Sequence, residues 1–338
     1  MLADMGADVV LVERPGSGYP ARQFPGLFEA LNRQKRSLAL DLKTPDGVET
    51  FRRLAHGTDV ISEGFRPGVA QRLGVGYEQI RAVNPGILYV SIAGYGQEGP
   101  YTYRPGHDLS YQGLSGVLTM FDHEFARTAS FEGKRGSATP GLPLADLASS
   151  TVAAWATMVG LVRRIRTGQG AYLDVSMTDT LVSWMTPILG PLANRLLPTD
   201  FRDEPGYGVY ETAERRWLTV SVAHETKFWR ALCQSTGLQK FAQYAAEDRR
   251  KHGAEIIQRL KEVFLSANYD TWATRLEQAS VPFGPVLDPS EVLSDSHFHA
   301  RQLFHRVVSR AGVRTVPRHF WENTLASYFR IAGFPHPT

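Results

Sequence analysis

The 338-residue chain contains a single cysteine, Cys233. One thiol cannot close an internal disulfide or build a cysteine-ligated metal cluster, and so low a count fits a reducing compartment. Excess charge is nearly absent too: 37 Lys+Arg against 34 Asp+Glu leave a net charge of +3, with no long basic block. That balance argues against wholesale nucleic-acid binding and leaves room for a local cationic pocket for phosphates. No apolar run is long enough to span a bilayer, which takes about 20 residues; the longest stretch is Thr151 to Val162. The opening Met1-Leu2-Ala3-Asp4-Met5 has no basic region followed by an apolar one, the pattern of a secretory leader. These absences predict a soluble, cytoplasmic protein with no nucleic-acid or membrane partner.

What is present is ordinary globular composition. Apolar residues make up 43% and charged residues 21%, which excludes a disordered chain, a collagen-like chain and a coiled coil. The length exceeds what one core usually holds, so two domains are expected.

Met1 to Gly6 reads as the tail of a helix closed by glycine, followed by the strand Asp8 to Glu13. Such a start implies that a preceding strand and most of that helix lie outside the chain. Strand and helix patterns then alternate. Ser37 to Asp41, Asp59 to Ile61, Ile87 to Ile92 and Tyr172 to Met177 read as strands. Pro45 to Ala55, Val69 to Leu73, Tyr77 to Val83 and Leu147 to Arg166 read as helices. The alternation predicts a doubly wound α/β domain, with the near-continuous apolar run at 87–92 as a buried parallel strand. The proline-rich segment Pro191 to Pro205 marks a boundary. Beyond it, Tyr207 to Tyr210 and Trp217 to Ala223 alternate like half-exposed antiparallel strands, and three helical patterns follow.

Several segments carry residues suited to chemistry. Glu13-Arg14-Pro15-Gly16-Ser17-Gly18 ends a strand in a glycine turn with an arginine, suited to a phosphate, but has neither dinucleotide-binding nor Walker A spacing. Arg66 and Arg72 flank a short helix and can grip a polyanion or simply be solvated. Gly94-Tyr95-Gly96 opens a glycine-rich loop at a strand's carboxyl end, where open α/β sheets bind ligands. His107 supplies an imidazole, whose ordinary pKa suits proton transfer, and Asp108 beside it can cap the helix beginning at Leu109. Asp146 reads either as the N-cap of the long helix or as a reactive carboxylate beside free backbone N–H groups able to meet an oxyanion.

In combination and in this order, these segments resemble the class III CoA-transferase (CaiB/BaiF) family. The resemblance rests on Asp8 to Gly18, Arg36 to Pro45, Glu63-Gly64-Phe65-Arg66-Pro67-Gly68 and Tyr95 to Pro100. It continues through Arg104-Pro105-Gly106-His107-Asp108, Gly141 to Asp146 and Thr167 to Met177, and so covers nearly the whole chain. It implies an acyl-CoA-acting enzyme with a Rossmann-like doubly wound large domain over residues 1–190 that binds CoA. A smaller α/β domain over 206–300 and a return segment over 301–338 complete the chain, and the assembly is an interlocked homodimer. By motif position, Arg14, Leu40 and Arg72, with Gly94, Tyr95 and Gly96, line the CoA. The CoA thioester is the substrate, and no prosthetic group or metal is implied.

The family runs two chemistries. Transferases use the aspartate as nucleophile, through a mixed anhydride and an aspartyl-CoA thioester. The α-methylacyl-CoA racemases remove and return the proton on the carbon next to the thioester, with a histidine and the aspartate on opposite faces and a glutamate supporting the histidine. His107 stands where many transferases have tyrosine, Asp146 matches the shared carboxylate, and His224-Glu225-Thr226-Lys227-Phe228-Trp229 is similar to the segment carrying the supporting glutamate. Pro140 to Leu147 looks as much like a transferase, and about nine extra residues lie around Glu132 to Ala138 by alignment to the family pattern. The expectation is racemase-type chemistry, with enolate charge met by N–H groups at the start of the Asp146 helix. CoA transfer is the alternative. A shortened chain ending at Phe334-Pro335-His336-Pro337-Thr338, without the usual closing helix, also admits an inactive CoA-binding relative.

Overall fold

Short apolar strands joined through helices pair in parallel, because a crossover connection returns the chain to the same end of the sheet. In the computed structural model the described residues are 1–121, 130–131, 134–135, 141–197, 204–309 and 312–317. They form a mixed α/β fold that divides into two units. One takes its described residues from 1–121, 141–186 and 297–317, the other from 130–135 and 187–296.

In the first unit, β1 (Val10–Glu13) and α1 (Pro25–Asn32) lead to β2 (Arg36–Ala39), which pairs in parallel with β1, Val10 opposite Arg36. α2 (Pro45–His56) starts as its sequence dictates. Pro45 occupies the first turn, and the Thr44 hydroxyl caps it by accepting from the Gly47 N–H at 3.1 Å. A three-stranded parallel sheet follows, built from β3 (Val60–Glu63), β4 (Leu88–Ala93) and β5 (Ala171–Ser176), with β4 in the middle. Leu88, Tyr89 and Val90 are buried, which accounts for the continuous apolar run of β4. Between β3 and β4 lie α3 (Val69–Arg72) and α4 (Tyr77–Arg81), and between β4 and β5 lie α5 (Asp108–Leu114) and α6 (Leu144–Thr167). α7 (Met177–Trp184) follows β5 directly.

α6 settles on the sheet through small side chains. Ala153 clusters with Val90 and Val175, and a Cβ at Gly160 would come within 3.0 Å of Leu88. At its other end, Ala145 and Ala148 pack with Tyr111 of α5 and Leu181 of α7. The sequence places the start of this helix at Leu147; it begins three residues earlier, at Leu144.

In the second unit, β6 (Tyr207–Glu211), β7 (Trp217–Ser221) and the short strand Phe283–Pro285 form an antiparallel sheet with β7 central. The helices Thr226–Thr236, Gly253–Phe264 and Tyr269–Gln278 supply Trp229, Leu232, Ile256, Leu260, Phe264 and Trp272 to a core shared with Leu218 and Val220. Each side chain of that kind contributes about 1.5–3 kcal/mol when fully buried. Both indoles bury their N–H satisfied: Trp229 donates to the Phe241 carbonyl at 2.8 Å and Trp272 to the Phe264 carbonyl at 2.9 Å.

Two further strand pairs are present among the described residues. Phe304–Ser309 and Gly312–Pro317 form an antiparallel hairpin. Of the stretch Glu132 to Ala138, only Lys134–Arg135 is described, paired with Ser130–Phe131. The terminal Phe334 to Thr338 lies outside the described residues.

Candidate active site

The motifs around Arg66, Gly94-Tyr95 and His107 meet at the carboxyl ends of β3 and β4, where a parallel sheet leaves loops free to hold a ligand. After β4, Gly94 lies against the ring of Tyr111, so closely that a Cβ there would approach it to 2.4 Å, and at Gly106 to 2.7 Å. Tyr95 in turn meets Tyr111 edge-on at 5.1 Å between ring centroids. The Gly94 carbonyl accepts from the Thr178 N–H at 3.0 Å and its hydroxyl at 2.8 Å, fixing the loop to α7.

Gly94, Tyr95, Gly106 and Tyr111 line a cavity of about 470 Å³ that also takes in His107, Arg66 and Arg104. No carboxylate is among the residues lining it. The Arg104 guanidinium is stacked over Tyr101, 4.2 Å from the ring centroid, which leaves its N–H edge available to an anion. The Ser91 hydroxyl donates to Glu63 at 2.5 Å and accepts from the Gln97 amide at 2.9 Å, tying the end of β3 to the loop after β4. Burial pushes the Glu63 carboxyl up.

His107 is the N-cap of α5, with extended backbone at φ −131° and ψ 174°. Its carbonyl accepts from the Ser110 N–H at 2.8 Å. Asp108 does not cap its own helix through its side chain. Its Oδ1 accepts instead from the backbone N–H groups of Ala145 at 2.7 Å and Asp146 at 3.2 Å, while Oδ2 accepts from the Gln112 amide. The carboxylate thus sits on the N-terminal turn of α6, where free N–H groups and the helix dipole favour negative charge. This explains the early start of α6: an external acceptor holds a turn that would otherwise fray.

Two expectations for Asp146 change accordingly. Asp146 is not the N-cap, a position held by Pro143; it is the third helical residue. Nor are the N–H groups of Ala145 and Asp146 open to an enolate oxygen, because Asp108 already accepts from both. Burial pushes the Asp146 carboxyl up, the charge of Asp108 adds to that, and His107 opposes it. His107 and Asp146 are therefore brought within electrostatic reach of each other, with Asp108 bonded between their helices.

The nucleotide-binding candidates separate. Arg72, the last residue of α3, lines a second, open cleft of about 750 Å³ together with Lys43 and Arg52. Arg14 is exposed at the end of β1, where its carbonyl closes a turn by accepting from Gly18 N–H at 3.0 Å. Leu40 extends the β1–β2 pairing, its N–H donating to the Glu13 carbonyl at 2.9 Å. Neither lines the cleft of Arg72. Gly94 and Tyr95 belong to the His107 cavity, and Gly96 turns the chain at φ 79° beside Asp174.

Glu225 belongs to the second unit, as N-cap of the helix Thr226–Thr236. Its carboxylate accepts from the Ala223 N–H at 3.1 Å, and backbone hydrogen bonds hold it below the usual carboxylate range. The segment is braced from behind by Arg249, which is buried, donates to the Ala223 carbonyl at 2.9 Å and stacks over Trp229.

Asp108 is the residue whose part sequence reasoning mistook. A carboxylate at a helix start signals a local cap, and nothing local reveals that its acceptors serve a helix 37 residues on. Lys43 and Arg52 went unremarked as ligand residues, although Lys43 stands within the motif from Arg36 to Pro45. Among the described residues no group of three or more His, Cys, Asp or Glu side chains could hold a metal ion.

Comparison with known proteins completes the assignment. The model of CoA-transferase family III matches residues 1–330. The succinyl-CoA–D-citramalate CoA-transferase of Chloroflexus aurantiacus is 30% identical over 324 residues, covering 89% of this chain and 77% of the relative. The human α-methylacyl-CoA racemase is 32% identical, covering 90% and 77%. Among solved structures, Rv3272 from Mycobacterium tuberculosis superposes with a TM-score of 0.80 at 29% identity, over 94% of this chain and 85% of that one. A CaiB/BaiF family protein from Brucella suis gives 0.74 at 25% identity, over 98% and 93%. The chain belongs to CoA-transferase family III and is an enzyme of that kind.

Proposed function

We propose that the enzyme acts on acyl-CoA thioesters and catalyses racemase-type 1,1-proton transfer at the α-carbon of a 2-methylacyl-CoA. The observation that carries this reading is that His107, at the start of α5, lies near enough to Asp146 of α6 to act on its charge, with the Asp146 carboxyl pushed up by burial and by Asp108. A carboxyl held toward its protonated form can give a proton, and an imidazole can take one. One of the two removes the α-proton, leaving the C–H electron pair in an enolate of the thioester. The other delivers a proton to the opposite face, which inverts the carbon, and the two groups exchange protonation states. Glu225 takes the role that the resemblance to the racemases gives the glutamate supporting the histidine. Arg72 and Arg14 hold the CoA nucleotide with Leu40, while Gly94, Tyr95 and Gly96 flank the thioester arm. No prosthetic group takes part.

The same reading makes residues 1–190 a Rossmann-like CoA domain, 206–300 a small α/β domain and 301–338 a return segment, in a cytoplasmic, interlocked homodimer.

A second reading, CoA transfer between carboxylic acids, is favoured by the citramalate CoA-transferase relative. Here the Asp146 carboxylate attacks the thioester carbonyl and expels CoA thiolate, leaving a mixed anhydride. The thiolate then attacks the aspartyl carbonyl, which releases the first carboxylate and leaves an aspartyl-CoA thioester for the incoming acid.

One incubation separates them: a single enantiomer of a 2-methylacyl-CoA in D₂O with a labelled free carboxylate, read by mass spectrometry. Deuterium at the α-carbon with no label in the thioester is the expected result. Label in the thioester without α-exchange establishes transfer instead, and hydroxylamine should then trap an acylated Asp146. Neither signal, with CoA still bound, overturns both readings. Each proton-transfer group typically supplies about 10²–10⁴-fold, so Asp146→Ala and His107→Ala should each cost at least about a hundredfold in exchange. Under transfer, His107→Ala should be the milder of the two.

A further inference from the structure

Asp108 touches both helices that carry the proton-transfer pair. It is the first residue of α5, directly after His107, and its Oδ1 accepts from the Ala145 and Asp146 N–H groups at 2.7 and 3.2 Å. The other oxygen accepts from the Gln112 side-chain amide one turn along α5. Gln112 is 1% exposed, and facing its NH₂ to an acceptor-only carboxylate turns its own Oε1 into a buried site without a partner among the described residues. A buried unpaired carbonyl carries a standing free-energy cost. The arrangement tolerates that cost where it immobilises Asp108.

We infer that Asp108 is a positioning residue, whose carboxylate clamps the first turn of α6 to α5 and so fixes the separation of Asp146 from His107. The inference rests on the proton-transfer reading for its effect on turnover, but the clamp is a structural claim testable without it. Its charge has a second effect. The charged groups acting on Asp146 are Asp108 and His107; the neighbouring Tyr111 of α5 feels Tyr95, Asp146, Arg66 and Asp108. Of these, Asp108 pushes the Asp146 carboxyl up, and no other acid in the group shares that role.

Two variants separate clamp from charge. Asp108→Asn keeps an oxygen that accepts from both N–H groups and removes the charge. Asp108→Ala removes both. For the enantiomer whose α-proton Asp146 removes, the acid limb of kcat/KM for α-deuterium exchange follows protonation of Asp146. In Asp108→Asn that limb should move to lower pH while kcat stays within about tenfold of the wild type. In Asp108→Ala kcat should fall by at least about tenfold with KM little changed, because misplacement of a reacting group even by 1 Å can cost about a hundredfold. Amide hydrogen exchange at Ala145 and Asp146 should accelerate about tenfold in Asp108→Ala and not in Asp108→Asn.

An acid limb at the same pH in Asp108→Asn and wild type overturns the role of the charge. Unchanged amide protection of Ala145 and Asp146 in Asp108→Ala overturns the clamp. If the wild-type protein exchanges no α-proton, the proton-transfer reading falls, and amide protection alone decides the clamp. If Asp108→Ala fails to fold, the clamp is decided by Asp108→Asn, whose Ala145 and Asp146 amides must stay protected.

Discussion

Arg22 grips Glu13 with two prongs, Nε donating to one carboxylate oxygen at 2.7 Å and Nη2 to the other at 2.5 Å. Two more donors complete the site: the Ser37 hydroxyl at 2.6 Å and the Tyr19 N–H at 2.7 Å. Glu13 is buried at the end of β1, so four hydrogen bonds fold the loop carrying Arg14 back onto the β1–β2 pair.

That carboxyl is drawn from 4.5 down to about 2, chiefly by the hydrogen bonds from Arg22. A pKa lowered by folding contributes stability that is present in full above the unfolded value and is lost as pH falls through the folded one. Glu13→Gln should therefore lower the denaturant midpoint at pH 7, and the gap from wild type should close between about pH 4.5 and 2. Urea titrations of both proteins across that range test it. A gap that persists unchanged at pH 2 would mean the pair contributes through packing rather than charge.

Gly94 gives a steric prediction. The Tyr111 ring occupies the place of its missing Cβ, and Tyr111 is itself buried against Tyr95, Ala145 and Leu181. The ring cannot swing away without disturbing the floor of the His107 cavity. Gly94→Ala should cost about 1–3 kcal/mol, the usual range for overpacking, and should reduce α-exchange more than Gly113→Ala, a site with open space around it. Equal activity in the two variants would show that Tyr111 yields freely.

The parallel strands are legible in the sequence because each carries apolar residues between glycine, proline or charged turns. β4 stands out most, being buried along almost its whole length. The start of α6 was not legible, since its acceptor comes from Asp108 rather than from the residues just before it. The pair His107 and Asp146 could be named from motif order, yet their electrostatic coupling depends on two helices meeting through Tyr111, Ala145 and Ala148, which no local pattern encodes. The hydrogen bonds joining Glu63, Ser91 and Gln97 were equally hidden, because each of the three reads singly as an ordinary strand-end or loop residue.

Arg72 should affect binding more than chemistry. It lines the open cleft with Arg52 and Lys43, and Arg52 is already committed to the Gly74 carbonyl at 3.0 Å. A charge-assisted hydrogen bond to phosphate contributes about 1.5–3 kcal/mol. Arg72→Ala should weaken CoA binding by about ten- to a hundredfold in calorimetry, leaving kcat for exchange near the wild-type value. A fall in kcat with unchanged affinity would move Arg72 out of the nucleotide site.

Cys233 supplies the last test, and it concerns the second unit alone. Its thiol is 1% exposed within the core built on Trp229, Leu232 and Ile256. Burial pushes it up to about 12, so almost none is thiolate at neutral pH. The native protein should leave a disulfide reagent at pH 8 unreacted over the time in which the denatured protein reacts fully. In mild denaturant the labelling rate should then report opening of this core, one thiol per chain with no competing site. Prompt stoichiometric labelling under native conditions would mean the helix Thr226–Thr236 opens far more often than a fully packed core allows, and with it the segment that carries Glu225.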